Sequence, residues 1–337
     1  MSKKSAEKKI THGISEYFAE AFKKCELHKL YQEHRNELFL GVRNNYLNLY
    51  YNCDSIAEIK YTKRSICCKI DKYYLDGNHY KSEDKEKKQK IAPSAIYGKY
   101  EIIKINSDKK VTYEKKAQSK LVLLNNNNEE SNWFCIDVEY VKAFRNKAEK
   151  DEAKLNCRFD VIALSKEKPH RVALIELKHG SGAIGGKSGI YKHVEDFTKF
   201  CKKKYFEDHL KGEIIDIIKS QKLLGIDVPF ELSSAEDLLS PPEFYFITLN
   251  NNPDPENENA CTPKQTMAGY LFKDKRWDCK RLSKEKCVEK DFGDITKKEN
   301  GFHATFLFSK ATFDNIEITD IIDGKYDERI IPAGWRN

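Results

Sequence analysis

The stretch that most constrains the fold runs from Cys157 to His179 and reads CRFDVIALSKEKPHRVALIELKH. CRFDVIAL and RVALIEL are apolar and rich in β-branched residues, while SKEKPH between them is polar and carries a proline, so the segment reads as a β-hairpin. Side chains alternate faces along a strand, which puts Val172, Leu174, Glu176 and Lys178 on one face. A hairpin symmetric about Lys168 pairs Leu164 with Val172, Ile162 with Leu174 and Asp160 with Glu176. Asp160, Glu176 and Lys178 then meet at the open end of an otherwise apolar face. Stability alone does not gather them there. Opposed carboxylates repel across strands, and charge on an apolar face is costly unless it is paired or binds metal.

Two carboxylates at this separation suit Mg²⁺, which takes oxygen ligands and keeps several waters. Such an ion polarises a phosphoryl oxygen and helps generate hydroxide from water. A lysine beside it orients that water or stabilises the charge that builds on phosphate. The pattern D-x15-E-x-K, with Glu176 and Lys178 on a strand, resembles the active site of the PD-(D/E)xK nuclease superfamily over roughly residues 110 to 250. Asp160 matches the family's aspartate, and Phe159 stands where its proline usually does. The resemblance implies an α/β (α+β) chain with a restriction-endonuclease-like core. It further implies a Mg²⁺-dependent phosphodiesterase acting on nucleic acid, usually DNA, with Mn²⁺ able to substitute, in a setting such as restriction or antiphage defence. It also implies a further acidic ligand from the preceding helix: Glu114 is best placed by order, and Glu139 is the reserve. E-x-K alone is weak, since a Glu–Lys pair on an exposed strand is usually a solvated ion pair. The apolar run before Glu176, and an aspartate on the same face one strand earlier, turn the balance.

The flanking segments fit the core's order of helix, three strands, helix, strand. Tyr113 to Leu124 reads as a helix and Trp133 to Phe144 as a strand. On that strand Phe134, Ile136, Val138 and Tyr140 share one face, and Asp137 and Glu139 the other. A helix begins near Ser188 with Ile190, Val194, Phe197 and Cys201 at helical spacing, and Phe244 to Leu249 is a fourth strand. Between them, SGAIGGKS (Ser181 to Ser188) is a near miss to the P-loop, with Ser181 where the first glycine belongs. A hinge loop rich in glycine is the better reading, with Lys187 placed to touch a phosphate. A P-loop nucleotide-binding protein and a non-catalytic nucleic-acid-binding protein are the rival functions.

Ahead of this region, residues 11 to 37 read as one amphipathic helix. ELFLGVR, YLNLYY, SIAEIKY and SICCKIDKYYL then read as an antiparallel meander, with a tight turn at Asn44-Asn45. Residues 1–105 are thus expected as a β-rich accessory module and 106–337 as the catalytic domain, with a soft boundary in residues 90 to 110. Tyrosines and cations intermix in the module (Tyr46, Tyr50, Tyr51, Lys60, Tyr61, Lys63, Arg64), which suits substrate recognition or a homodimer contact. Tyrosine is also simply a good strand former. Farther on, GYLFKD and HATFLFSK read as added strands. Lys202, Lys203 and Lys204, and the basic segment Lys273 to Lys290, are candidates for phosphate contacts, although lysines in a last helical turn also suit the helix dipole. His179 falls on the face opposite Lys178, and His193 and Asp196 lie on the following helix.

Composition is permissive. A net charge of +7 and a pI near 8.7 favour a polyanionic partner without requiring one. None of the ten cysteines forms a C-x-x-C pair, and most lie in apolar runs where free thiols pack as small hydrophobes, so a reducing cytoplasm is the expected setting. No apolar run approaches the ~20 residues of a membrane span, and MSKKSAEKKI lacks the apolar centre of a signal peptide.

Overall fold

The computed structural model describes residues 12–78, 87–142, 157–180, 189–253, 261–265, 267, 304–316, 321–324 and 326–330. It is an α+β protein, and the described residues form two sheets. The first part holds helices α1 (Glu16–Lys23) and α2 (Glu26–Glu33), then strands β1 (Leu38–Val42), β2 (Leu47–Tyr51), β3 (Asp54–Thr62) and β4 (Ser65–Asp71). Helix α3 (Tyr73–Asp76), strand β5 (Lys88–Ile91) and helices α4 (Pro93–Gly98) and α5 (Tyr100–Asp108) follow. The five strands form one antiparallel meander in sequential order.

Local chemistry sets these boundaries. The single helix expected over 11–37 is two, because Cys25 adopts an extended backbone. Phe22 and Leu27 lie five residues apart, out of helical phase, and the break lets both reach the core. Asn45 is left-handed, and the Arg43 amide bonds the Tyr46 carbonyl at 2.9 Å, which closes the expected turn. The next two hairpins turn on Asn52–Cys53 and Lys63–Arg64, both with paired positive φ, the twist that two-residue hairpins favour. The strand expected over Ser65–Leu75 stops at Asp71, whose carboxylate accepts the Tyr73 amide and starts α3. The expected boundary region is occupied by α4 and α5.

The second part begins with α6 (Tyr113–Asn126) and the strands β6 (Trp133–Val141), β7 (Arg158–Ser165) and β8 (Val172–His179). Helices α7 (Ile190–Lys202) and α8 (Lys211–Leu223) precede β9 (Glu243–Leu249), β10 (Ala304–Phe308) and β11 (Glu328–Ile330). The sheet order is β11-β10-β9-β8-β7-β6, with β8, β9 and β10 mutually parallel and the remaining pairs antiparallel. One face carries Ile162, Leu174 and Phe246 against Val194 and Phe197 of α7, in an apolar core continuous with Phe18, Leu40 and Ile59 of the first part. The other face carries Val161, Ile175 and Ile247 against Ala117 and Leu121 of α6.

Strand β6 departs from simple alternation. A bulge between Cys135 and Asp137 moves Val138 to the α6 side, where it lies across from Val161. Left-handed Glu139 then returns Tyr140 to the side of Phe134 and Ile136. The bulge also turns Asp137 inward, where it is fully buried and held by Arg43 through Nη1 at 2.7 and 2.9 Å. GYLFKD lies outside the described residues, whereas HATFLFSK supplies β10. Cys25, Cys53, Cys67, Cys68, Cys135, Cys157 and Cys201 are free thiols, of which Cys67 is exposed, and Cys261 is disulfide-bonded. Among the described residues no helix is long and apolar enough to cross a membrane.

Candidate active site

Strands β7 and β8 pair from Leu164↔Val172 to Val161↔Ile175, the expected register. The ladder then stops, one pair short of the expected Asp160–Glu176 pairing. Asp160 turns its side chain into the gap, and Oδ2 accepts the Leu177 amide at 2.7 Å, in place of a backbone partner. Beyond this point, among the described residues, β7 pairs only with β6 and β8 only with β9, so the sheet opens there.

The candidate residues gather around this opening. Glu176 is buried, and its Oε1 accepts from Lys178 Nζ at 2.6 Å and lies 3.0 Å from His193 Nε2 in the first turn of α7. Lys178 also reaches Glu114 Oε1 at 3.4 Å, because the first turn of α6 ends beside β8. Register on either side, Val138↔Val161 and Tyr140↔Phe159, sets Glu139 across from Asp160. The Glu139 carboxylate lies 4.0 Å from Lys115 Nζ. Asp160, Glu176, Lys178, Glu114 and Glu139 thus come together.

Electrostatics at the opening separate the carboxylates. Burial pushes the Asp160 carboxyl well above the usual range; the charges of Glu176 and Glu139 add to this, and Lys178 opposes it. Burial also acts on Glu176, but the His193 contact and the Lys178 charge outweigh it and hold that group below its ordinary value. Glu114 and Glu139 are raised, burial first, with Glu176 as a repelling neighbour of each. For Lys178 burial favours the neutral amine, yet Glu176, Asp160 and Glu114 raise its pKa, so it stays charged at neutral pH.

Donor chemistry is compatible with a hard cation. Asp160 and Glu176 each commit one oxygen to the protein, and among the described residues no hydrogen bond takes the other. Across from Lys178 on β9, Thr248 buries a hydroxyl that has no hydrogen-bond partner among the described residues. Among the described residues no three His, Cys, Asp or Glu side chains are grouped closely enough to hold an ion by themselves.

Lys187 lies outside the described residues. Lys202, Lys203 and Lys204 are exposed at the far end of α7, roughly 14 Å along the helix from His193 at 1.5 Å per residue. His179 packs against the Tyr113 and Phe313 rings, with centroids 5.6 and 6.3 Å away. Asp196 faces Lys192 at 3.1 Å. Two contacts were not expected. Gln118, one turn after Glu114, donates to the Asp160 carbonyl at 2.5 Å, and Lys115 faces Glu139. The i, i+4 spacing of Glu114 and Gln118 was the available signal; Lys115 carried none. No family model matches the chain, and neither a curated protein nor a solved structure matches it.

Proposed function

We propose that this protein is a Mg²⁺-dependent nuclease that hydrolyses phosphodiester bonds, with DNA as the expected substrate, on a core resembling that of the PD-(D/E)xK enzymes. The observation that carries the reading is the meeting of Asp160, Glu176, Glu114 and Lys178 where β7 and β8 part. A cluster of carboxylates in so enclosed a place is expensive to maintain, and a cation that binds there recovers the cost. Asp160 and Glu176 would hold Mg²⁺ through their uncommitted oxygens, with Glu114 or Glu139 as the further acidic ligand. An ion that keeps several waters does not require three preformed protein ligands. When bound, Mg²⁺ supplies Lewis-acid polarisation of the phosphoryl group and a more acidic water.

The protein's own groups divide the remaining work. The raised pKa of Lys178 rules it out as the base that takes a proton from water. It acts as a fixed cation beside the phosphate and stabilises charge that grows in the transition state. Glu176 holds the Lys178 ammonium in place at 2.6 Å, and His193 meets the same Glu176 oxygen at 3.0 Å. Gln118 and the Leu177 amide set the backbone and carboxylate of Asp160. Incubation with supercoiled plasmid, single-stranded DNA and RNA in Mg²⁺, Mn²⁺ or EDTA tests the reading. Cleavage is expected with either metal, none in EDTA, and none from folded Asp160→Ala or Glu176→Ala. Binding without cleavage under every condition would leave a non-catalytic nucleic-acid-binding protein.

A further inference from the structure

A cavity of about 530 Å³ lies against strands β2 and β3 of the five-stranded sheet, and Glu139 of the carboxylate cluster is among its lining residues. Tyr46, Asn48, Tyr50 and Lys60 line it from the sheet, and Lys115 and Glu139 from the other side. Glu139 is the residue across from Asp160, so the cavity adjoins the carboxylate cluster through that one side chain.

The cavity contains a polar group without a partner. Asn48 Nδ2 donates to the Tyr50 hydroxyl at 3.0 Å, and Asn48 Oδ1 is buried with no hydrogen-bond partner among the described residues. Turning the amide over exchanges the two atoms and leaves the other one orphaned. The Tyr50 hydroxyl cannot move to relieve this, because Arg43 Nη2 donates to it at 2.9 Å and the Arg43–Asp137 pair anchors the arginine. Buried amide atoms are nearly always paired in folded proteins. The Asn48 amide thus carries an unmet acceptor beside the cavity, which an ordered water or a ligand group that reaches it satisfies.

The solvent face of the sheet, which includes the cavity's Lys60, carries more lysines than carboxylates, with Glu58 pairing Lys60 and Lys88 at 2.7 and 3.1 Å. Lys60, Lys69, Lys88 and Lys90 share that face with Glu58 and Asp71, through the pairs Glu58↔Lys69, Lys69↔Lys90 and Asp71↔Lys88. The Lys60 ammonium sits 5.1 Å from the centre of the Tyr46 ring. Amide, aromatic ring and ammonium groups together are the chemistry that takes a nucleotide: an amide reads a base edge, an aromatic stacks the base and lysines hold phosphates. The volume suits one small ligand rather than a helix or a peptide.

We infer that this sheet face and cavity form the substrate-binding surface, on which a nucleic-acid strand crosses the lysines and seats one unstacked nucleotide. Its base contacts Asn48 and Tyr46 and its phosphate lies toward Lys115. This inference rests on the nuclease reading and assigns that site a strand that is single or locally opened.

The test uses the wild-type protein in EDTA with DNA oligonucleotides, single-stranded and duplex, that carry 2-aminopurine at successive positions. Fluorescence of the probe is expected to change at one position on binding. Asn48→Leu combined with Tyr46→Ala should abolish that change and weaken binding about tenfold or more, the loss expected for one stacked base. If the double variant fails to fold by circular dichroism, the wild-type probe scan still decides. Surface variant Lys69→Glu with Lys90→Glu should then lower affinity and flatten its salt dependence. Mg²⁺-dependent cleavage with a silent probe at every position overturns the nucleotide pocket and leaves the nuclease reading standing. Absence of both binding and cleavage on DNA and RNA overturns the two together.

Discussion

Asp160 is a residue whose charge works against the fold that holds it. Burial and the nearby Glu176 and Glu139 charges raise its pKa well above the ordinary carboxylate value. A carboxyl raised by folding costs stability at every pH above its unfolded value. Asp160→Asn keeps an oxygen for the Leu177 amide and removes the charge. It is expected to raise the metal-free Tm at neutral pH by roughly 2–4 °C while abolishing cleavage, and Mg²⁺ should stabilise wild type but not the variant, both measurable by calorimetry. An unchanged or lower Tm would show that the charge is not strained. Lys178 is the converse, a cation fixed by three acidic neighbours. Lys178→Met should lower the cleavage rate by about 10²–10³ with far less effect on substrate affinity, since its contact strengthens only in the transition state. Single-turnover rates measured beside equilibrium binding separate the two. If affinity falls and bound turnover is unchanged, Lys178 only binds.

The elements that hold this opening are joined by the buried Arg43–Asp137 pair. Arg43 follows β1, Asp137 sits just after the β6 bulge, and the guanidinium also bonds the Val42 and Val138 carbonyls at 2.7 and 2.6 Å. Gly41 permits this, since a Cβ there would stand 2.9 Å from the Tyr50 ring and 3.0 Å from Arg43 Nη2. Arg43→Met leaves Asp137 buried and unpaired and should cost about 3–5 kcal/mol in urea unfolding. Adding Asp137→Leu should recover most of that, because removing both charges removes the orphan. Equal stability of the single and double variants would deny the coupling. Most elements were legible in sequence. α6, the β7–β8 register and β9 follow from apolar periodicity and from the polar SKEKPH loop. The face pattern of β6 was not legible, because a bulge at Ile136 and a left-handed Glu139 leave no mark in hydrophobic order.

At the scale of the whole molecule a buried carboxylate ties distant parts together. Glu213 of α8 accepts from Tyr140 at 2.6 Å and from Lys142 at 3.2 Å, and His12 Nδ1 lies 2.8 Å from its Oε2. Burial pushes its pKa up, but His12, Lys142 and Tyr140 outweigh burial and hold it at about 2. A depressed carboxylate stabilises above its unfolded pKa, and that contribution is lost as pH falls through the folded value. Glu213→Gln should therefore lower stability by about 3 kcal/mol at pH 7, and the gap from wild type should close between about pH 4.5 and pH 2. A gap that stays constant with pH would show that packing, not charge, is what Glu213 supplies. The apolar core runs through both sheets, so the acid transition of wild type should appear at one pH whether read from far-ultraviolet or near-ultraviolet circular dichroism.

Sequence by itself determined the α+β class, the meander, the hairpin and the shared face of Glu176 and Lys178, because strand alternation and turn chemistry act over a few residues. It also singled out Asp160, since a charge in an apolar run is conspicuous wherever the run folds. Only the tertiary structure decided that Asp160 ends the ladder, that Glu114 reaches Lys178, that His193 rather than His179 meets Glu176, and that Lys115 faces Glu139. Each of these contacts joins residues from different elements, and local pattern does not carry the distance between elements. The partner of Arg43 lies 94 residues away, and only the packed core brings such a pair into contact.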